Sequence, residues 1–191
     1  MAKRQWGCCL GLLLTISLNQ ADLISPLDQL KNHYQQLEKR ENLLVVFDID
    51  DTILSNELII NSDYGYDLYR VIGYQRLSKL PLMSEQNDIY QWCLQNNIGV
   101  VFITFRCETE RLQTIKNLKE QNLNQWDKLI LFPEPCDYQT ISAKEYKTDA
   151  RKKLTESGFK ILAAIGDQYS DIHGGYTDLS IKLDDPGYYT K

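Results

Sequence analysis

The sequence predicts a doubly wound α/β fold, and three observations predict it. Short apolar runs rich in β-branched residues recur along the chain, helical patterns separate them, and carboxylates or a threonine stand where the runs end. Ser25-Pro26 opens the first helix, with serine as N-cap and proline at the first helical position. Leu27, Leu30, Tyr34 and Leu37 then share one face up to Lys39. Residues 43–47 (LLVVF) form a continuous rather than alternating apolar run, the pattern of a parallel strand covered on both faces. Residues 98–103 (IGVVFI), 129–132 (LILF) and 161–165 (ILAAI) repeat it, and 180–183 (SIKL) supplies a shorter final strand. Helical patterns lie between them at 84–96, 108–121 and 142–157, the last stopped by Gly158. The result is a parallel sheet with helices on both faces. Residues 53–83 interrupt the rhythm: they are rich in tyrosine (Tyr64, Tyr66, Tyr69, Tyr74) and show no strong period. Because they follow the first strand directly, they are expected to form a small insertion that overhangs the strand ends as a partial cap.

The 191 residues suit one domain, and 43% hydrophobic content supplies one sizeable core. Lys3 and Arg4 precede an apolar run from Cys8 to Leu18, and polar Asn19 and Gln20 follow it. That order describes a signal peptide over residues 1–21, too short in its apolar part for a transmembrane span. Residues 22–191 are then a single domain, periplasmic or secreted, with no stable membrane anchor in the mature form. The formal charge of −5 becomes −7 without the leader. This sign argues against a nucleic acid polymer as the main partner but not against a small anion, because a bound metal reverses the sign locally. Beyond the leader stand Cys93, Cys107 and Cys136, an odd count that allows one disulfide and one free thiol. Cys107 and Cys136 follow strands expected to be neighbours and can form the bridge, whereas Cys93 is expected to be a buried thiol in a helix. His33 and His173 stand alone and no C-x-x-C pair exists, so a zinc site has no support.

Ligands in doubly wound folds bind beyond the carboxyl ends of the strands. Asp48-Ile49-Asp50-Asp51-Thr52 follows the first strand, Thr104 the second, and Gly166-Asp167 with Asp171 the fourth; Lys147 lies in the helical segment before it. Singly, each has an ordinary reading as a helix cap, a strand end or a solvent-facing lysine. Together they bring three or four acids to one place, and two bare carboxylates ~4 Å apart repel by about 4 kcal/mol at an effective dielectric near 20. Such a gathering calls for a cation, and an all-oxygen ligand set alongside phosphate suits Mg²⁺.

D-x-D-x-T after an apolar strand, threonine after the second strand, a downstream lysine and G-D-x-x-x-D after a later strand resemble the haloacid dehalogenase-like (HAD) superfamily. The strings VVFDIDDTILSN, FITFR, YKTDARKKL, IGDQYSDI and KLDDPGYY are similar to its acid phosphatase branch. That branch includes the plant vegetative storage proteins and the class B and lipoprotein acid phosphatases. The resemblance spans about residues 26–190. It implies a Mg²⁺-dependent acid phosphatase acting on small phosphomonoesters, and the aromatic insertion suits nucleotides or aryl phosphates by stacking. It further implies Asp48 as nucleophile and metal ligand and Asp50 as acid and base, with its backbone carbonyl on the metal. Thr104 and Lys147 would hold the phosphate, Asp167 would bind the metal, and Asp171 would support it, directly or through water. Thr52 is expected to fix the turn and Asp51 to point away, since side chains alternate along an extended segment. Phe105 departs from the family, where glycine is usual: its ring either strains a position needing positive φ or forms an apolar wall. The rival reading is a secreted, non-catalytic phosphate-ester-binding or storage protein on the same fold. Retention of Asp48, Asp50, Lys147 and Asp167 speaks against it.

Overall fold

The computed structural model describes residues 24–57 and 68–185. The expected signal peptide and residues 58–67 of the insertion lie outside the described residues. Ser25 caps α1 (Pro26–Gln35), its hydroxyl accepting from the Asp28 amide at 3.1 Å. The helix ends earlier than Lys39 because Gln36 and Leu37 donate back to the carbonyls of His33 and Tyr34, tightening the last turn. β1 (Leu43–Phe47) follows. Next come α2 (Leu68–Leu77), α3 (Ser84–Gln95), β2 (Gly99–Cys107), a 3₁₀ turn at Glu108–Glu110, α4 (Arg111–Glu120) and β3 (Lys128–Phe132). The chain closes with α5 (Ala143–Glu156), β4 (Lys160–Gly166), α6 (Tyr169–Ile172) and β5 (Leu179–Lys182).

The five strands lie in the order β3-β2-β1-β4-β5, and every pairing is parallel. The chain winds outward from β1 to one edge, then crosses β1 to build the other. This puts the switch point at the central strand, flanked by β2 and β4. β1 is buried along its whole length, as its unbroken apolar run demands. Leu43, Val45 and Phe47 join Leu30, Ile89, Tyr90, Cys93 and Leu118 on the face covered by α1, α3 and α4. Leu44 and Val46 pack with Val101, Ile103 and Ile161 against Ala150 and Leu154 of α5. Each such side chain contributes about 1.5–3 kcal/mol by leaving water.

The insertion contains a helix that its sequence hid. Val71, Gln75 and Ser78 are buried on one face of α2 and the turn after it. Two of these three inward positions are polar, so no apolar period marks the helix. Asn117 of α4 holds the following turn, accepting from the Leu80 amide at 3.0 Å and donating to the Leu80 carbonyl at 2.9 Å. Cys107 and Cys136 form the expected disulfide, with Cα atoms 5.5 Å apart across a sequence separation of 29. Closing a loop of that length stabilises by about 3–4 kcal/mol in the chain-entropy account. Cys93 is a buried free thiol whose pKa is pushed up to about 12 by burial.

Candidate active site

Three adjacent strands deliver the site. Asp48 prolongs β1, its amide donating to Ile165 at 3.0 Å; Thr104 lies in β2, and Asp167 directly follows β4. Lys147 reaches in from α5 and Asp171 from α6. Oxygens of Asp48, Asp167 and Asp171 all lie within 4.8 Å of one another. Lys147 Nζ donates to Asp48 Oδ1 at 2.5 Å and to Asp171 Oδ1 at 2.6 Å. All four groups are buried, as is Thr104.

Local structure explains why these side chains converge. After Asp48 the chain turns sharply, with the amides of Ile53 and Leu54 both donating to the Ile49 carbonyl. Thr52 does more than fix this turn: its hydroxyl accepts from the Asp167 amide at 3.1 Å and donates to Asp167 Oδ1 at 3.2 Å. It therefore ties the end of β1 to the end of β4. Asp51 is not one of the three clustered acids, and it sits in a left-handed turn (φ 56°) rather than in an extended, alternating segment. Its carboxylate accepts from the Asn56 amide at 2.8 Å and from Asn56 Nδ2 at 3.0 Å. Gly166 is needed for close approach, since a Cβ there would lie 2.2 Å from the Cβ of Asp171. Arg151, wholly buried one turn beyond Lys147, donates to the Asp171 carbonyl at 2.5 Å and also to those of His173 and Gly175. Thus α5 grips Asp171 twice, by its side chain through Lys147 and by its backbone through Arg151.

The Asp50 carboxylate stands apart from the three-acid cluster. Arg106 holds it in a two-pronged ion pair, Nη2 to Oδ1 at 2.7 Å and Nε to Oδ2 at 2.8 Å. Gln75 of α2 donates to Oδ1 at 2.9 Å, and Asn56 to the same oxygen at 3.3 Å. Asp48 and Asp50 border a cavity of about 450 Å³ that Thr104, Lys147, Asp167 and Asp171 also line. Val71 and Ile72 form one apolar wall, and Phe105 with Tyr138 another. The φ of Phe105 is not positive. Its ring joins an aromatic cluster, with centroids 4.5 Å from Phe132, 5.1 Å from Tyr138 and 5.9 Å from Tyr146. Of the two readings of Phe105, the apolar wall is the one observed.

A family model described as HAD superfamily, subfamily IIIB (acid phosphatase) matches residues 13–191. The chain belongs to this family. It is 34% identical to the stem 28 kDa glycoprotein of Glycine max, over 81% of this chain and 63% of that one. It is 33% identical to acid phosphatase 1 of Solanum lycopersicum, over 75% of this chain and 58% of that protein. The chain thus spans a little under two thirds of the length of these relatives. A class C acid phosphatase from Bacillus anthracis superposes with a TM-score of 0.59 at 21% identity, over 82% of this chain and 68% of the other, which shows a shared fold.

The donor set of this subfamily IIIB chain fits a hard divalent cation. It is all oxygen, and one ammonium stands against three buried carboxylates, leaving positive charge in deficit. The deficit shows in the titration of the acids. Burial raises the Asp48 pKa, Lys147 opposes the rise, and Asp171, Asp167 and Asp50 add to it, so the net shift is upward. Burial likewise lifts Asp167 to about 7, against the hydrogen bonds from Gln168 and Thr52. Burial disfavours the charge on Lys147, but Asp48 and Asp171 overcome it and hold the ammonium protonated well above its ordinary range. Asp50 goes the other way: burial would raise it, yet Arg106, Asn56 and Gln75 together keep it below the usual carboxylate value. The sequence reading left Gln75, Asn56, Glu110 and Arg151 unmentioned and assigned Arg106 no role. Only Arg151 had a local signal, its i+4 spacing from Lys147 on the helix YKTDARKKL.

Proposed function

We propose that the protein is a Mg²⁺-dependent phosphomonoesterase that hydrolyses small phosphate esters through an aspartyl-phosphate on Asp48. The observation that carries this reading is Lys147 Nζ lying 2.5 Å from Asp48 Oδ1 and 2.6 Å from Asp171 within a buried three-acid cluster at the switch point. An ionised carboxylate needs no base before it attacks, and phosphoryl transfer asks chiefly for positioning and charge neutralisation. Asp48, Asp167 and Asp171 would hold the cation, Asp171 either directly or through water, with the Asp50 backbone carbonyl as a further ligand. When bound, Mg²⁺ supplies charge neutralisation at the phosphoryl oxygens.

In the first step an Asp48 oxygen bonds to phosphorus, the ester P–O bond breaks, and the leaving oxygen takes a proton from Asp50, which reacts from its protonated form, the minor one beside Arg106. In the second, water gives a proton to Asp50 as its oxygen attacks phosphorus, releasing phosphate and Asp48. Thr104 and Lys147 would hold the phosphoryl oxygens throughout, Lys147 carrying the positive charge. The apolar walls of Val71, Ile72, Phe105 and Tyr138 suit the flat, weakly polar body of an aryl or nucleoside ester. Hydrolysis of p-nitrophenyl phosphate should be undetectable after chelation and return with Mg²⁺. Absence of turnover under both conditions would instead favour the non-catalytic storage reading.

The disulfide, and a leader-like N-terminus ahead of it, also support action outside the cytoplasm, periplasmic or secreted. N-terminal sequencing of the mature protein should begin near residue 22; an intact Met1 on active protein would refute export by a cleaved leader.

A further inference from the structure

Two consecutive side chains of α2 reach the segments that follow β1 and β2. Gln75 donates to Asp50 Oδ1 at 2.9 Å, while Arg76 lies 3.5 Å from Glu110, a buried acid in the 3₁₀ turn after β2. Gln75 is buried, whereas the Arg76 side chain is largely exposed. The two contacts therefore differ in kind: one reaches a proposed reacting group, the other docks the helix at the surface.

The donors around Asp50 are distributed unequally between its oxygens. Among the described residues Oδ1 accepts from Arg106 Nη2, Gln75 and Asn56, and Oδ2 accepts only from Arg106 Nε. A carboxyl that exchanges protons uses the oxygen with spare lone-pair capacity, and a crowded oxygen cannot serve. A half-turn about Cβ–Cγ merely exchanges equivalent oxygens, so what matters is which position beside the carboxyl stays open. Arg106 places one donor on each oxygen and leaves the two alike. The amides of Gln75 and, at 3.3 Å, Asn56 fill the Oδ1 side and leave the Oδ2 side open.

We infer that Gln75 is a positioning residue for Asp50, its amide fixing Oδ1 as the anchored oxygen and Oδ2 as the one that trades a proton with the leaving group and with water. This rests on the reading of Asp50 as acid and base. It also gives the insertion a catalytic duty beyond walling the cavity: α2 brings in the group that orients the acid. Substrates whose leaving oxygen needs a proton depend on that orientation, and those that leave as stable phenolates depend on it far less.

The test compares kcat/KM, which reports the phosphorylation step, for p-nitrophenyl phosphate and for glycerol phosphate. Gln75→Met keeps the side chain's length without the donor, and Gln75→Asn keeps the amide but falls short of Asp50. Both should raise the aryl-to-alkyl ratio about tenfold, less than the roughly 10²–10⁴-fold of a whole general acid because Asp50 itself remains. Arg76→Ala, which loosens α2 without touching Asp50, should leave the ratio within about twofold; Asp50→Asn should raise it further than either Gln75 variant. Equal losses on both esters in the Gln75 variants, or the same ratio change in Arg76→Ala, would reduce Gln75 to a packing role and overturn the inference. If Asp50→Asn raises the ratio while both Gln75 variants leave it unchanged, only the inference falls. If Asp50→Asn itself leaves the ratio unchanged, the acid-and-base reading falls and takes the inference with it.

Discussion

Replacing Asp48 by Asn should abolish turnover of every phosphomonoester, with a loss on the order of 10⁵-fold or more, the size seen when a covalent nucleophile is removed. An amide cannot form the acyl-phosphate, and among the described residues no other carboxylate is placed to substitute for it. Asp167 and Asp171 share the cluster, but Asp167 is tied to Thr52 and Gln168, and Asp171 to Lys147 and the Gln168 amide. Asp48 is also a proposed metal ligand, so weaker Mg²⁺ binding must be separated from loss of the nucleophile. Raising Mg²⁺ until binding is restored, as followed by calorimetry, should leave the variant inactive. Asp50→Asn should behave differently. Nitrophenolate leaves without a proton, so phosphorylation of Asp48 should survive in part and give a burst, followed by slow release for want of a base. Rapid-quench kinetics distinguishes the two variants. Activity surviving in Asp48→Asn at saturating Mg²⁺ would refute the covalent mechanism.

The legibility of this chain follows the range of the interactions concerned. β1 and β4 were readable because a strand buried on both faces must be apolar throughout. Asp48, Thr104, Asp167 and Asp171 were readable because a parallel sheet fixes where strand ends meet. β2 was read to Ile103 but runs to Cys107, its end pairing with Phe132 after a register shift. The polar Thr104 and Arg106 masked that extension; they are buried because the site and Asp50 need them there. The same reason hid α2, whose inward face carries Gln75 and Ser78. Asp51 illustrates a right outcome from a wrong cause. Alternation assumed an extended segment, whereas the Ile49 carbonyl gathers the amides that follow into a turn. Gln75 and Glu110 act across long sequence separations, and Asn56 within a turn, all without motif or period. Only the folded chain reveals them.

The metal-free protein should lose stability as pH rises from about 4 to about 7, the reverse of what acid denaturation leads one to expect. Asp167 titrates near 7 in the folded chain and near 3.9 when unfolded, so the native state binds its proton more tightly. Such a group contributes fully below its unfolded pKa, and the contribution fades as pH climbs through the folded value. A shift of this size corresponds to about 4 kcal/mol, taken to order of magnitude. Asp48 and Glu110, both raised first by burial, act in the same direction. Asp50 has the opposite sign, but its folded pKa lies below the unfolded one. Its effect is therefore confined to pH below about 4, outside the window. Mg²⁺ should reverse the trend, because the cation binds the ionised carboxylates and competes with their protons. Its stabilisation should grow as pH rises, by up to about tenfold in affinity per pH unit for each proton displaced. Melting curves of chelated and Mg²⁺-loaded protein at about pH 4.5 and about pH 7 give four points that decide the matter. A chelated protein that melts higher at the upper pH, or a Mg²⁺ increment no larger there, would refute the assignment of these buried acids as proton-competing metal ligands.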